Sequence, residues 1–223
     1  MDPAFVLIHS PFLGPASWRP VARCLERAGS VARVPSLRGV ATSAPPYWPA
    51  GVDAVVRAVG DEAVVLVAHS NGGLFVPAVA QRLGEQVRGV VFVDASVPGA
   101  GHHSTPEFLR GLEIVDGLLP PWTSWWDEPD VAVLFPDAEV RAQVESEQPR
   151  MPLAYYDHLP PTPDGWDTMP CGLIWFGAPY DKGADEAVVR GWPVEHVPGH
   201  HLQMLVDPDG VAAAVLRMAQ PWT

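Results

Sequence analysis

The residues with the clearest chemical meaning are Ala68-His69-Ser70-Asn71-Gly72-Gly73. They follow the most apolar strand pattern of the chain and precede a helical one. A serine on such a strand-to-helix turn sits on strained backbone that lifts its hydroxyl above the sheet edge. Its neighbours two positions away must be small, and here they are Ala68 and Gly72. The helix that follows offers a positive dipole end and free amides, that of Asn71 among them. A serine hydroxyl attacks poorly unless a base takes its proton and an acid orients that base. The chain must therefore bring a histidine and a carboxylate to Ser70.

The elements that could do so are legible as an alternation. Ala4 to Ile8 is a short apolar run, as expected of a strand buried on both faces. A helix over Ser17 to Ala28 follows, closed by Gly29, then a strand over Val31 to Val34 and a Pro-rich loop over 41–49. A helix over Gly51 to Val59, a strand over Ala63 to Ala68, a helix over Leu74 to Leu83 and a strand over Val87 to Val93 continue the pattern. It resumes with strands at Leu173 to Phe176 and Val194 to Val197, a short helix over 184–190 and a last helix over Pro208 to Met218. This predicts an α/β fold, a mostly parallel sheet of about six strands with helices on both faces. Residues 99–169 break the alternation. With helical pieces expected over 105–118 and 137–148 among Pro- and Trp-rich loops, they read as a small helical cap inserted into a core of residues 1–98 and 170–223.

Composition narrows the partners. The 26 acidic against 14 basic residues give a net charge of −12, a field that repels nucleic acid and anionic membrane. No apolar stretch approaches a membrane span, and the N-terminus lacks the basic region of a signal peptide. Cys24 and Cys171 alone make neither a disulfide framework nor a metal-ligand spacing. A cytoplasmic monomer or homodimer acting on a small molecule is the expectation.

Four motifs in order span nearly the whole chain. They are His9-Ser10 with Trp18, the Ser70 turn, Phe176-Gly177-Ala178-Pro179-Tyr180-Asp181, and Gly199-His200-His201. In these the chain resembles the α/β-hydrolase superfamily, and within it the small esterase and hydroxynitrile-lyase-like branch. The resemblance implies that Ser70 is the nucleophile on its elbow and that the base comes from the loop after the last strand. Leu205 and Pro208 fit the family spacing from His201 and not from His200. Asp181 holds the usual place of the acid, though one residue further from Gly177 than is usual. Asp94, at the end of the strand after the elbow, is the alternative, its plainer role a cap on loop amides. Asp185 would open the short helix.

The resemblance also implies an oxyanion hole built from two amides. That of Asn71 is one. The residue in the usual place of the other is Pro11, which has no N–H. Either Phe12 donates from a shifted loop, or the Ser10 hydroxyl stands in, or that half of the hole is missing. Around the site, His9, Pro11, His69, Trp122 and Trp126 are expected to border the substrate pocket. Leu109, Leu112, Leu118, Leu119, Trp125 and Phe135 are further candidates for an apolar wall, or else pack the cap onto the sheet. His102, His103, Tyr155, Tyr156 and His158 are its polar candidates, each more often structural than catalytic. Arg150 is its lone cation between Arg141 and Lys182.

The expected activity is hydrolysis of an ester, thioester or lactone of a small, largely apolar substrate, with no cofactor and no metal. Pro11 keeps a second reading open: a lyase, cyclase or isomerase using His201 as acid and base. A third is a ligand-binding protein without catalysis.

Overall fold

The structure, a computed structural model, describes residues 2–99 and 106–223. Six strands form one sheet: β1 (Ala4–Ile8), β2 (Ala32–Arg33), β3 (Val64–Ser70), β4 (Val87–Ala95), β5 (Cys171–Trp175) and β6 (Val194–His196). Every pairing is parallel and the order is β2-β1-β3-β4-β5-β6. The helices are α1 (Arg19–Arg27), α2 (Trp48–Val59), α3 (Val76–Leu83), α4 (Glu128–Ala132), α5 (Ala138–Glu147), α6 (Asp181–Val189), α7 (Gln203–Val206) and α8 (Pro208–Ala219). This is the α/β-hydrolase fold. Among the described residues no helix is long and apolar enough to cross a membrane.

The unbroken apolar strands follow from burial on both faces. In β3, Val64, Leu66 and Ala68 pack into one core cluster while Val65 and Val67 pack into the other. β1 and β4 divide their side chains in the same way, as the two-residue period of a strand requires. One face is covered by Val52, Val55 and Val59 of α2 with Val76, Val79 and Leu83 of α3. The other is covered by Val21 and Leu25 of α1 with Val211 and Val215 of α8.

Two expectations about elements are corrected. The helical piece expected over 105–118 is, where described, only a 3₁₀ turn at Glu107–Gly111, followed by an antiparallel bridge between Val115 and Leu118. Gly111 and Gly117 interrupt the segment, and Pro120 and Pro121 follow, so no i to i−4 ladder can extend. The short helix opens at Asp181 rather than at 184, so Asp181 and not Asp185 stands at its start. Much of the apolar content between β4 and β5 is structural: Leu109, Leu119 and Tyr155 join one core cluster, Val131, Phe135 and Val144 the other. Glu147 of α5 anchors this segment to the loop after β1, accepting from the Ala16 amide at 2.7 Å and from Arg19 at 2.7 Å.

Chain order reverses between β1 and β3, since β2 lies on one side of β1 and β3 on the other. Ligands of open α/β sheets bind beside such a point, outside the carboxyl ends of the strands. Ser70 ends β3 there.

Candidate active site

The turn at Ser70 is strained and over-determined. Ser70 has φ 55° and ψ −134°, a conformation that costs a non-glycine residue about 1–3 kcal/mol. Close backbone approach holds it. A Cβ at Gly72 would lie 2.7 Å from the Ile8 carbonyl oxygen, and one at Gly73 only 2.2 Å from that of Ser96. The Ser96 amide donates to the Ser70 carbonyl at 3.1 Å, tying the turn to the end of β4. Ser70 is nearly buried, its side chain at the floor of a cavity.

Across that floor, His201 Nδ1 donates to Asp94 Oδ2 at 2.6 Å. The other carboxylate oxygen accepts from the Phe176 amide at 3.1 Å, so a strand-end amide of the neighbouring strand fixes the carboxylate plane. Asp94 is buried, with φ 43°, a second strained residue at the sheet edge. With its proton held at Nδ1, His201 presents Nε2 as an acceptor, the tautomer a general base needs. His200 is exposed and lies outside the cavity wall.

The geometry corrects the placement expected of Asp181. It is exposed in the first turn of α6, and the carboxylate on His201 belongs to Asp94. The extra residue between Gly177 and the aspartate explains the exchange. Tyr180 fills the space beside the histidine, its ring parallel to His201 within 5° at 4.9 Å. The hydrogen-bond partner of Ser70 Oγ is the Tyr180 hydroxyl at 3.3 Å, not His201.

His9 and His69, expected at the pocket, are buried behind it. Leu37 N–H donates to His9 Nε2 at 3.0 Å, so Nδ1 carries the proton and donates to the Ser10 carbonyl at 2.7 Å. Burial lowers the His9 pKa to about 4. His69 Nε2 donates to the His201 carbonyl at 2.8 Å, and the two rings lie 4.5 Å apart. Burial first, and the His201 ring next, push the His69 pKa well below its usual value. Both histidines supply structure: His69 props the backbone of His201. The reason sequence adjacency misleads is alternation, since His69 points away from the face its neighbour Ser70 presents.

A stability consequence follows. A histidine buried neutral must be protonated in the unfolded chain below about pH 6.5, so the stability it confers is present above that pH. For His9 it is lost as pH falls from about 6.5 towards 4, an effect on the order of 3 kcal/mol. Calorimetry in buffers of different ionisation enthalpy is expected to show proton uptake on unfolding at pH 5, reduced by about one proton in His9→Gln.

The cavity has a volume of about 470 Å³. Ser70, Asn71, Tyr180 and His201 make its polar floor, and Trp122, Trp125, Trp126, Phe108 and Tyr156 most of its wall. Trp122 and Trp126 thus stand where they were expected, whereas Pro11, His9 and His69 do not line it. Asp130 is the one carboxylate on the wall, and among the described residues no lysine or arginine joins it. Arg150 instead points to the Leu118 and Leu119 carbonyls. Tyr155 is buried core, and His158 packs on Tyr47 at 5.6 Å. His102 and His103 lie outside the described residues. Ser10 and Phe12 are buried and do not line the cavity: the Phe12 amide faces Ser10 Oγ at 3.4 Å, and the Phe12 ring packs on Trp125 and Tyr156. Sequence reasoning named Tyr156 among its polar candidates but missed Tyr180, Phe108 and Asp130. Tyr180 lay inside a motif already singled out, and the offset of Asp181 was its signal.

A family model described as "Alpha/beta hydrolase family" matches residues 5–214. Esterase PIR7B of Oryza sativa subsp. japonica is 35% identical over 130 residues, 52% of this chain and 47% of that protein. Erythronolide synthase EryA3 of Saccharopolyspora erythraea is 30% identical over 182 residues, 76% of this chain but 5% of that protein. The chain thus spans about half the length of the plant esterase it matches. Among solved structures, tomato methylketone synthase I complexed with 2-tridecanone aligns over 100% of both chains, with TM-score 0.76 and 16% identity. The Arabidopsis methylesterase MES16 aligns over 98% of this chain and 99% of its own, with TM-score 0.71 and 16% identity. These likenesses show the fold, and the match over residues 5–214 shows the lineage: the chain belongs to the alpha/beta hydrolase family.

Proposed function

We propose that this protein hydrolyses an ester, thioester or lactone of a small, largely apolar substrate through a Ser70–His201–Asp94 triad. The observation that carries the reading is His201 on the same cavity floor as the strained Ser70, its ring oriented by the buried Asp94. Ser70 Oγ attacks the carbonyl carbon as its proton passes to His201 Nε2. Asp94 holds the ring and balances the imidazolium that forms. The Asn71 amide, at the start of the turn after Ser70, donates to the developing oxyanion. The same proton then goes to the leaving group, and water resolves the acyl-enzyme by the reverse roles. Residues 99–169 act as the cap. Its tryptophans give the substrate site an apolar wall, and Asp130, which no lysine or arginine among the described residues joins there, disfavours substrates bearing a carboxylate. The esterase names among the sequence relatives agree with this chemistry.

The hydrogen bond of Ser70 Oγ to Tyr180 rather than to His201 gives the second reading its footing. There His201 alone is acid and base in a lyase, cyclase or isomerase reaction. Labelling separates the two. A fluorophosphonate is expected to modify one residue per chain, Ser70, with loss of p-nitrophenyl acetate and butyrate turnover. An inert Ser70 in a protein that also fails to turn over either ester would sink the hydrolase reading.

A further inference from the structure

Acyl transfer needs two hydrogen-bond donors aimed at the oxygen that becomes charged. The loop that adjoins the elbow, after β1, supplies none to the cavity. Pro11 has no N–H, the Phe12 N–H faces Ser10 Oγ, and no residue of 10–13 reaches the wall. A side chain near Ser70 Oγ can serve in its place. One is there: the Tyr180 hydroxyl, 3.3 Å away.

We propose that Tyr180 is a catalytic residue whose O–H is the second donor to the oxyanion formed on attack by Ser70. The inference rests on the acyl-transfer reading above. A donor 3.3 Å from Oγ is within hydrogen-bond reach of an oxygen carried by the carbon that Oγ attacks. Three features hold the phenol there. Its ring stacks on His201, its amide donates to the Gly177 carbonyl at 3.2 Å, and its carbonyl accepts from Gly183 and Ala184 at the start of α6. Tyr156 adjoins on the Asn71 side, its hydroxyl accepting from Asn71 Nδ2 at 3.4 Å. Burial raises the Tyr180 pKa far above its ordinary value, so the phenol keeps its proton and remains able to donate a hydrogen bond. The electron count is that of ordinary acyl transfer. The Oγ–C bond forms, the carbonyl π pair moves onto oxygen, and the serine proton goes to His201 Nε2. On collapse, the bond to the leaving group breaks, and that group takes the proton from His201.

Tyr180→Phe keeps the ring and its stacking and removes only the donor. With p-nitrophenyl butyrate, kcat is expected to fall about 10²–10³-fold with KM changed less than about threefold. Affinity for a trifluoromethyl ketone, which forms a hemiketal oxyanion on Ser70, is expected to fall by a similar factor. The acid limb of the kcat/KM profile, set by His201, stays in place. A kcat loss under about tenfold, an unchanged trifluoromethyl ketone affinity, or an acid limb that moves with the loss would each overturn the proposal. The last would mean that Tyr180 acts through His201. Complete fluorophosphonate labelling of Ser70 in both proteins shows that the nucleophile and its fold survive the substitution. A wild-type protein that neither labels nor turns over would fail the acyl-transfer reading itself, and this inference with it.

Discussion

Ser70→Ala is expected to reduce kcat for ester hydrolysis by about 10⁴–10⁶-fold and to abolish fluorophosphonate labelling, with KM little changed. The size follows from what is removed: without Oγ no acyl-enzyme forms, and only the oxyanion donors and binding remain to speed attack by water. Folding is expected to be unaffected. Oγ makes a single hydrogen bond at 3.3 Å, and alanine occupies the same φ of 55° held by the approach of Gly72 and Gly73 to neighbouring carbonyls. Circular dichroism and thermal melts alongside steady-state kinetics check both halves. An active Ser70→Ala protein would point to acid–base chemistry at His201 without a covalent step.

Asp94→Asn is expected to lower kcat by about 10⁴-fold, and Asp181→Asn by less than about threefold. In the first variant the amide oxygen still accepts from the Phe176 amide, so the side chain keeps its place. Its NH₂ then faces His201 Nδ1, which must give up its proton to accept. The ring turns to the opposite tautomer, Nε2 carries the proton, and the base is lost. Asp181 faces solvent in the first turn of α6, where its charge interacts with the helix dipole, worth about 0.3–1 kcal/mol. Its replacement is therefore a small stability change without a kinetic one. Paired kinetics on the two variants decide the acid, and a hundredfold loss in Asp181→Asn would reverse the assignment.

The elements and the serine turn were legible because their signals are local. AVVLVA reads as a strand buried on both faces, and the small residues around Ser70 are demanded by backbone approach within a few positions. The choice of His201 over His200 came from the family resemblance through Leu205 and Pro208, and of the two only His201 lines the cavity. The acid was not. Asp94 lies at the end of β4 and Asp181 after β5, and which one meets His201 depends on how the two strands end side by side and on Tyr180, which stands where the carboxylate was expected. His9 and His69 misled for another reason: both are buried off the cavity, and His69, next to Ser70 in β3, turns to the opposite side of the strand.

From the sequence alone follow the parallel sheet and the elbow at Ser70, since each is written in periodicity or residue size, while the histidine that could serve it was singled out by the family resemblance. Only the tertiary structure decided the partners: Asp94 for His201 across 107 positions, Tyr180 for Ser70 across 110, and His69 behind His201 across 132. Contacts at such separation are set by strand order and register, which side-chain patterns constrain only face by face.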